Sequence, residues 1–265
     1  MPKFAANLSM LYGEHDFLDR FAAAAKDGFQ GVEYLFPYAF EKAALVDALK
    51  ANRLTQVLHN MPGGDWEAGE RGLACLPDRV GEFQDGVGKA IDYAEALGCP
   101  QLHAMAGIRP EGVDPDKVAE TYIDNLRFAA DKTKEAGIKL LIEAINTIDI
   151  PGFYLSTSAQ ALAVIETVGS DNLYFQYDIY HMQVMEGDLV RTIEKNLAKI
   201  AHMQLADNPG RHEPGSGEIN YPFVFDAIDG MGYKGWIGCE YKPKAGTSEG
   251  LGWLRPHLTA SAAAE

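Results

Sequence analysis

The feature that most constrains this chain is an alternation repeated eight times: a short apolar run, then a stretch of helical period. The apolar runs lie at 3–10 (KFAANLSM), 31–37 (GVEYLFP), 54–62 (LTQVLHNMP), 100–107 (PQLHAMAG), 138–145 (IKLLIEAI), 173–180 (LYFQYDIY), 200–207 (IAHMQLAD) and 236–243 (WIGCEYKP). Such runs separated by helices predict βα units and a parallel sheet, because parallel neighbours need a crossover long enough to hold a helix. The helix candidates carry suitable end chemistry. One runs from Asp16, a candidate N-cap, to Gly28; others run from Pro77 to Gly98 and from Pro115 to Gly137. Two more span 156–169, with Ser/Thr capping residues, and 221–232. Eight units in 265 residues is the size of one (β/α)8 TIM barrel. The barrel is expected over 1–258, with 259–265 as a C-terminal tail. A doubly wound open sheet also alternates strands and helices, but "ANLSMLYGEHD" stands where a dinucleotide fold would carry its glycine fingerprint.

Charge narrows the class of partner. With 23 Lys+Arg against 38 Asp+Glu the net charge is −15, which repels phosphate backbones and anionic lipid. Nucleic acid and membrane are therefore not expected as partners. An anionic small molecule is compatible only with a local cationic pocket. Cys75, Cys99 and Cys239 are widely spaced and form no CxxC, so neither a disulfide framework nor a thiolate zinc site is expected. The reading is of a cytoplasmic protein without a signal peptide, and its oligomeric state stays open between monomer and homo-oligomer.

In a TIM barrel the chemistry sits at the C-terminal ends of the strands. Those ends carry Asn7, Glu33, His59 with Asn60, His103, Glu143, Asp178 followed by His181, Gln204 and Glu240. Glu143, Asp178, Gln204 and Glu240 come from four consecutive strands. Three carboxylates so gathered cannot all stay ionised without a counter-charge. A divalent cation supplies it, and an all-oxygen ligand set favours Mg²⁺ or Mn²⁺ over zinc. The alternative is that each acid pairs with its own Arg or Lys.

The stretches "LIEAINTIDIPGFYL", "QYDIYHMQVMEGDL", "HMQLADNPGRHEPGSGEINYPFVF" and "GWIGCEYKP" resemble the hydroxypyruvate isomerase family of xylose-isomerase-like TIM barrels. The resemblance runs essentially end to end, including "FAANLSMLY" and "GDWEAGERGLA". It implies that Glu143 and Glu240 are the catalytic acid/base pair and also metal ligands, with Asp178 and Gln204 completing the shell. The implied reaction interconverts hydroxypyruvate and 2-hydroxy-3-oxopropanoate (tartronate semialdehyde) through an enediolate. The alternatives are a 2-oxotetronate isomerase or a ketose 3-epimerase with the same metal and glutamates. A histidine usually stands at the Gln204 position in the epimerases, so Gln204 speaks for the isomerase branch.

A small hydroxy-carbonyl acid needs a cation to hold its carboxylate. Arg211 is the first candidate and Lys242 the second, with a loop ion pair to Glu213 or Glu218 as the alternative for Arg211. His181 is either a substrate contact or a residue orienting a ligand, and His59 and His103 are further candidates for the pocket wall. Glu33 reads as structural. Trp66, on a Gly-rich loop, reads either as a lid or as ordinary packing. Cys239 precedes Glu240 and so points the other way, into packing.

Overall fold

A computed structural model of the chain describes residues 2–257. The tail expected at 259–265 lies outside the described residues. Eight parallel strands close into a barrel in sequence order: β1 (Lys3–Asn7), β2 (Gly31–Tyr34), β3 (Thr55–Asn60), β4 (Gln101–His103), β5 (Lys139–Glu143), β6 (Leu173–Asp178), β7 (Ile200–Leu205) and β8 (Trp236–Cys239). Between them run α1 (Arg20–Lys26), α2 (Lys42–Asn52), α3 (Val80–Leu97), α4 (Pro115–Glu135), α5 (Ser158–Val168), α6 (Ile179–Met185), α7 (Leu189–Asn196) and α8 (Tyr221–Gly230), with a short α9 (Thr247–Gly250) after β8. The fold is the expected (β/α)8 TIM barrel.

Every expected strand is present, and each is shorter than its apolar run. β6 ends at Asp178, not at 180, because the Asp178 carboxylate accepts the amides of Tyr180 and His181 and starts α6 there. α4 begins at Pro115 as expected, with Asp114 capping through the Asp116 amide. Thr157 caps α5 through Gln160. Asp16, by contrast, precedes only a short 3-10 turn, and its side chain makes no capping bond. Helix α2, unassigned from sequence, buries Leu45 and Leu49 one turn apart.

The chain packs as two compact units. The first comprises the segment ending at Tyr34, Ala43–Val57, and the chain from Tyr177 onward. In it β1 pairs with β2 (Asn7 opposite Glu33) and with β8 (Ala6 opposite Cys239), and β7 pairs with β8 (Gln204 opposite Gly238). Phe4, Phe225 and Trp253 meet edge to face or tilted at 5.1–5.8 Å and anchor α8 against β1.

The second unit comprises Leu35–Lys42 and Leu58–Gln176. In it Asn60 on β3 pairs with His103 on β4, and Glu143 on β5 stands opposite Gln176 on β6. All three cysteines are buried, and none forms a disulfide among the described residues. No helix among the described residues is long and apolar enough to cross a membrane.

Candidate active site

Each unit presents its own polar constellation at the strand ends. In the first unit Asp178 is 1% exposed. Its Oδ1 is spent on the α6 cap, while Oδ2 is buried with no protein hydrogen bond and lies 3.6 Å from His181 Nε2. Burial pushes its pKa up to about 6 against the opposing pull of Arg211 and the two amides, and Glu33 adds to the rise. Glu240, the residue after β8, is held by its own amide to Leu205 O at 3.1 Å. Burial raises its carboxyl to about 8, with Arg211 pulling down and Asp178 and Glu33 pushing up. Burial also drives His181 well below the ordinary imidazole range, so it is neutral, and Arg211 pushes the same way.

Arg211 stands on the loop after β7 with Nη2 3.5 Å from Glu240 Oε2 and its guanidinium carbon 5.3 Å from the centre of the Tyr180 ring. The loop is pinned beneath it. The fully buried Asp207 carboxylate accepts the amides of Asn208, Gly215, Gly217 and Ile219 at 2.8–3.0 Å. Glu213 and Glu218, the acids considered as its loop partners, accept from the Lys244 amide and from Asn208 and Gln183. Lys242 is exposed and serves the loop through its main chain, donating to Arg211 O and accepting from His212 Nδ1.

Below Gln204 lies a buried network that sequence reasoning did not assemble. Glu33 accepts Gln204 Nε2 at 2.8 Å and Asn7 Nδ2 at 2.9 Å on Oε1, and His202 Nε2 stands 2.7 Å from Oε2. His202 was overlooked altogether. The available signal was spacing: His202 and Gln204 are two apart on a strand and therefore share a face.

In the second unit Glu143 ends β5, 4% exposed, with His103 Nδ1 3.7 Å from its Oε2. His103 Nδ1 is also 3.3 Å from Asn60 Oδ1, so Asn60, His103 and Glu143 form a line across three strands. Asn60 is held by its amide to Leu35 O and by the Tyr38 hydroxyl on its carbonyl. His59 turns away from this line, as alternation requires. It is fully buried, meets the Tyr38 ring at 6.1 Å and approaches the Ala90 main chain, and burial lowers its pKa to about 4. Trp66 packs edge-on to Phe36 at 5.0 Å with the Arg71 guanidinium 4.1 Å from its ring centre, the bonding of a packed loop.

The residues present fit a hard divalent cation. A buried carboxylate oxygen of Asp178 accepts no protein hydrogen bond, and Asp178 raises the proton affinity of Glu240 even though Arg211 pulls both the other way. Oxygen donors predominate, which suits Mg²⁺ or Mn²⁺.

Comparison with known proteins agrees with this architecture. The family described as Xylose isomerase-like TIM barrel matches residues 21–257, and the chain belongs to that family. Within it, the chain is 52% identical over 258 residues to the 2-oxo-tetronate isomerase of Cupriavidus necator, covering 97% of this chain and 99% of that one. It is also 52% identical over 257 residues to the hydroxypyruvate isomerase of Escherichia coli K12, covering 97% and 100%. A crystal structure titled AP endonuclease, family 2, from Brucella melitensis superposes with a TM-score of 0.95 at 49% identity, covering 97% and 99%. An L-ribulose 3-epimerase shares the fold, with a TM-score of 0.75 at 22% identity and coverage of 98% and 86%.

Proposed function

We propose that this protein is an isomerase of small 2-oxo acids, interconverting hydroxypyruvate and 2-hydroxy-3-oxopropanoate by proton transfer. The observation that carries the reading is Arg211 beside Glu240: a guanidinium able to take a carboxylate stands 3.5 Å from a buried carboxyl whose pKa reaches about 8. An anion-binding group next to a proton-transfer group is what such a substrate requires. The relatives named as hydroxypyruvate isomerase and 2-oxo-tetronate isomerase support the same class.

Glu143, Asp178, Gln204 and Glu240 would hold the divalent cation. Bound there, the cation supplies Lewis acidity that stabilises the negative charge developing on the substrate oxygens. The remaining work falls to the chain. Arg211 grips the substrate carboxylate. One of Glu143 and Glu240 removes the proton at C3, and the other returns a proton at C2 of the enediolate. His181, neutral through burial, hydrogen-bonds a substrate oxygen, and His103 steadies Glu143.

A second reading, a four-carbon 2-oxotetronate as substrate, is favoured by the equal 52% identity to the Cupriavidus necator protein. The test is a panel of hydroxypyruvate, 2-oxotetronates and free ketoses with Mg²⁺ or Mn²⁺, followed by NMR in D₂O. Isomerised acid carrying solvent deuterium at the new C–H is expected. Exchange of free ketoses alone would overturn the acid-isomerase reading in favour of an epimerase.

A further inference from the structure

We infer that Glu33 is the positioning residue that fixes which end of the Gln204 amide faces the metal site. The inference rests on the metal-dependent reading above and extends it to a residue outside the ligand set. An amide side chain has two chemically opposite ends of nearly equal size, and only the oxygen can ligate a hard cation. Nothing intrinsic to glutamine selects the useful orientation. An ionised carboxylate, however, is an acceptor only. With Glu33 Oε1 2.8 Å from Gln204, the amide must turn its NH₂ toward Glu33, and its oxygen is thereby directed the other way.

Three neighbours keep Glu33 in this role. Asn7 Nδ2 donates to the same Oε1 at 2.9 Å, and Asn7 Oδ1 in turn accepts the Ser9 amide at 3.1 Å, which fixes the Asn7 amide as well. His202 Nε2 stands 2.7 Å from Oε2. Glu33 and His202 are 1% and 0% exposed, so the arrangement is sealed from water that could otherwise satisfy a flipped amide. The third neighbour is an absence of bulk. A Cβ placed on Gly238 would fall 2.2–2.4 Å from the Glu33 carboxyl group, so β8 gives up a side chain two residues before Glu240 to make room for that carboxylate. The strand register sets Gln204 opposite Gly238 and Asn7 opposite Glu33, so the whole device is built from facing positions on β1, β2, β7 and β8.

The experiment measures Mn²⁺ binding to the intact protein by calorimetry and by electron paramagnetic resonance of free Mn²⁺. It compares wild type, Glu33→Gln, Gln204→Ala and the double variant. Glu33→Gln keeps size and burial but removes the acceptor-only constraint. We expect it to weaken Mn²⁺ binding at least tenfold, and to weaken it far less when Gln204 is already Ala. A wild type that binds Mn²⁺ together with a Glu33→Gln variant that binds it equally well overturns the positioning role and leaves the metal reading standing. Equal losses in both backgrounds also overturn it, because Glu33 would then act without Gln204. A wild type that binds no Mn²⁺ overturns the metal reading and this inference with it. Should Glu33→Gln fail to fold, ¹⁵N NMR of the wild type decides. The Gln204 NH₂ signal is expected to be protected from exchange both with and without Mg²⁺, and a rapidly exchanging NH₂ would overturn the inference.

Discussion

Arg211 reaches back to within 3.5 Å of Glu240 from a loop whose own backbone is strained to deliver it, at φ 55. A non-glycine residue in the left-handed region costs of order 1 kcal/mol and persists only when its surroundings over-determine it. Here they do: Arg211 O accepts the Lys242 amide, and the adjoining His212 O accepts the Asp207 amide, both at 2.8 Å. The strain holds a guanidinium beside the Glu240 carboxyl, the proposed proton-transfer group.

Removing that guanidinium should therefore damage substrate capture first. Arg211→Ala is expected to raise KM by roughly 10- to 100-fold, the worth of a charge-assisted hydrogen bond of about 1.5–3 kcal/mol. Arg211→Lys should recover part of the loss but not the bidentate grip. Steady-state kinetics with hydroxypyruvate checks this, and an unchanged KM in Arg211→Ala would remove Arg211 from the substrate site.

The loop itself hangs on Asp207. Its carboxylate satisfies four backbone amides, and the chain approaches so closely that a Cβ on Gly217 would lie 2.0 Å from Asn208 O. Asp207→Ala strands those amides and is expected to cost about 3 kcal/mol of stability while raising KM as Arg211 loosens. Thermal unfolding and kinetics on the same variant test both halves. A variant with lowered melting temperature but wild-type KM would show that the loop does not position Arg211.

The barrel was legible in the sequence because its signal is repetition: eight apolar runs survive errors at any one boundary. The acids Glu143, Asp178 and Glu240 were legible for the opposite reason, as charges out of place at the ends of apolar runs. What sequence did not show was which alternating face of a strand carries the site. His59 and Asn60 are neighbours on β3, yet alternation sends Asn60 to His103 and His59 to Tyr38 on the other side. Glu33 read as a bland acid because its partners, Asn7, His202 and Gln204, lie 26, 169 and 171 residues away. Lys242 read as a cation because its type is visible, whereas its main-chain role is not.

The two glutamates should fail together. Glu143→Gln and Glu240→Gln keep volume and hydrogen-bonding shape while removing proton transfer, so each is expected to lower kcat by roughly 10²–10⁴. Loss of deuterium incorporation from D₂O should match the loss of turnover. A drop below tenfold in both variants, with the fold intact by circular dichroism, would rule out the two-glutamate mechanism.

Stability should fall with rising pH in the metal-free chain, and bound metal should offset that fall. In the folded, metal-free chain Glu240 titrates at about 8 instead of 4.5, and Asp178 at about 6 instead of 3.8. Both pKa values are raised, so the folded state binds these protons more tightly than the unfolded state. Their contribution to stability is fully present below about pH 4 and is lost as pH rises through 6 and then 8. A dication competes with the same protons, so its affinity should climb up to about tenfold per pH unit across this window while a proton must leave. Melting curves from pH 5 to 8, with and without Mn²⁺, measure both trends. Above pH 6.5, where the buried His59 and His181 are neutral in both states, the metal-free melting temperature should fall and the increment given by Mn²⁺ should grow. A Mn²⁺ increment that stays constant with pH would mean that the cation does not bind at Asp178 and Glu240.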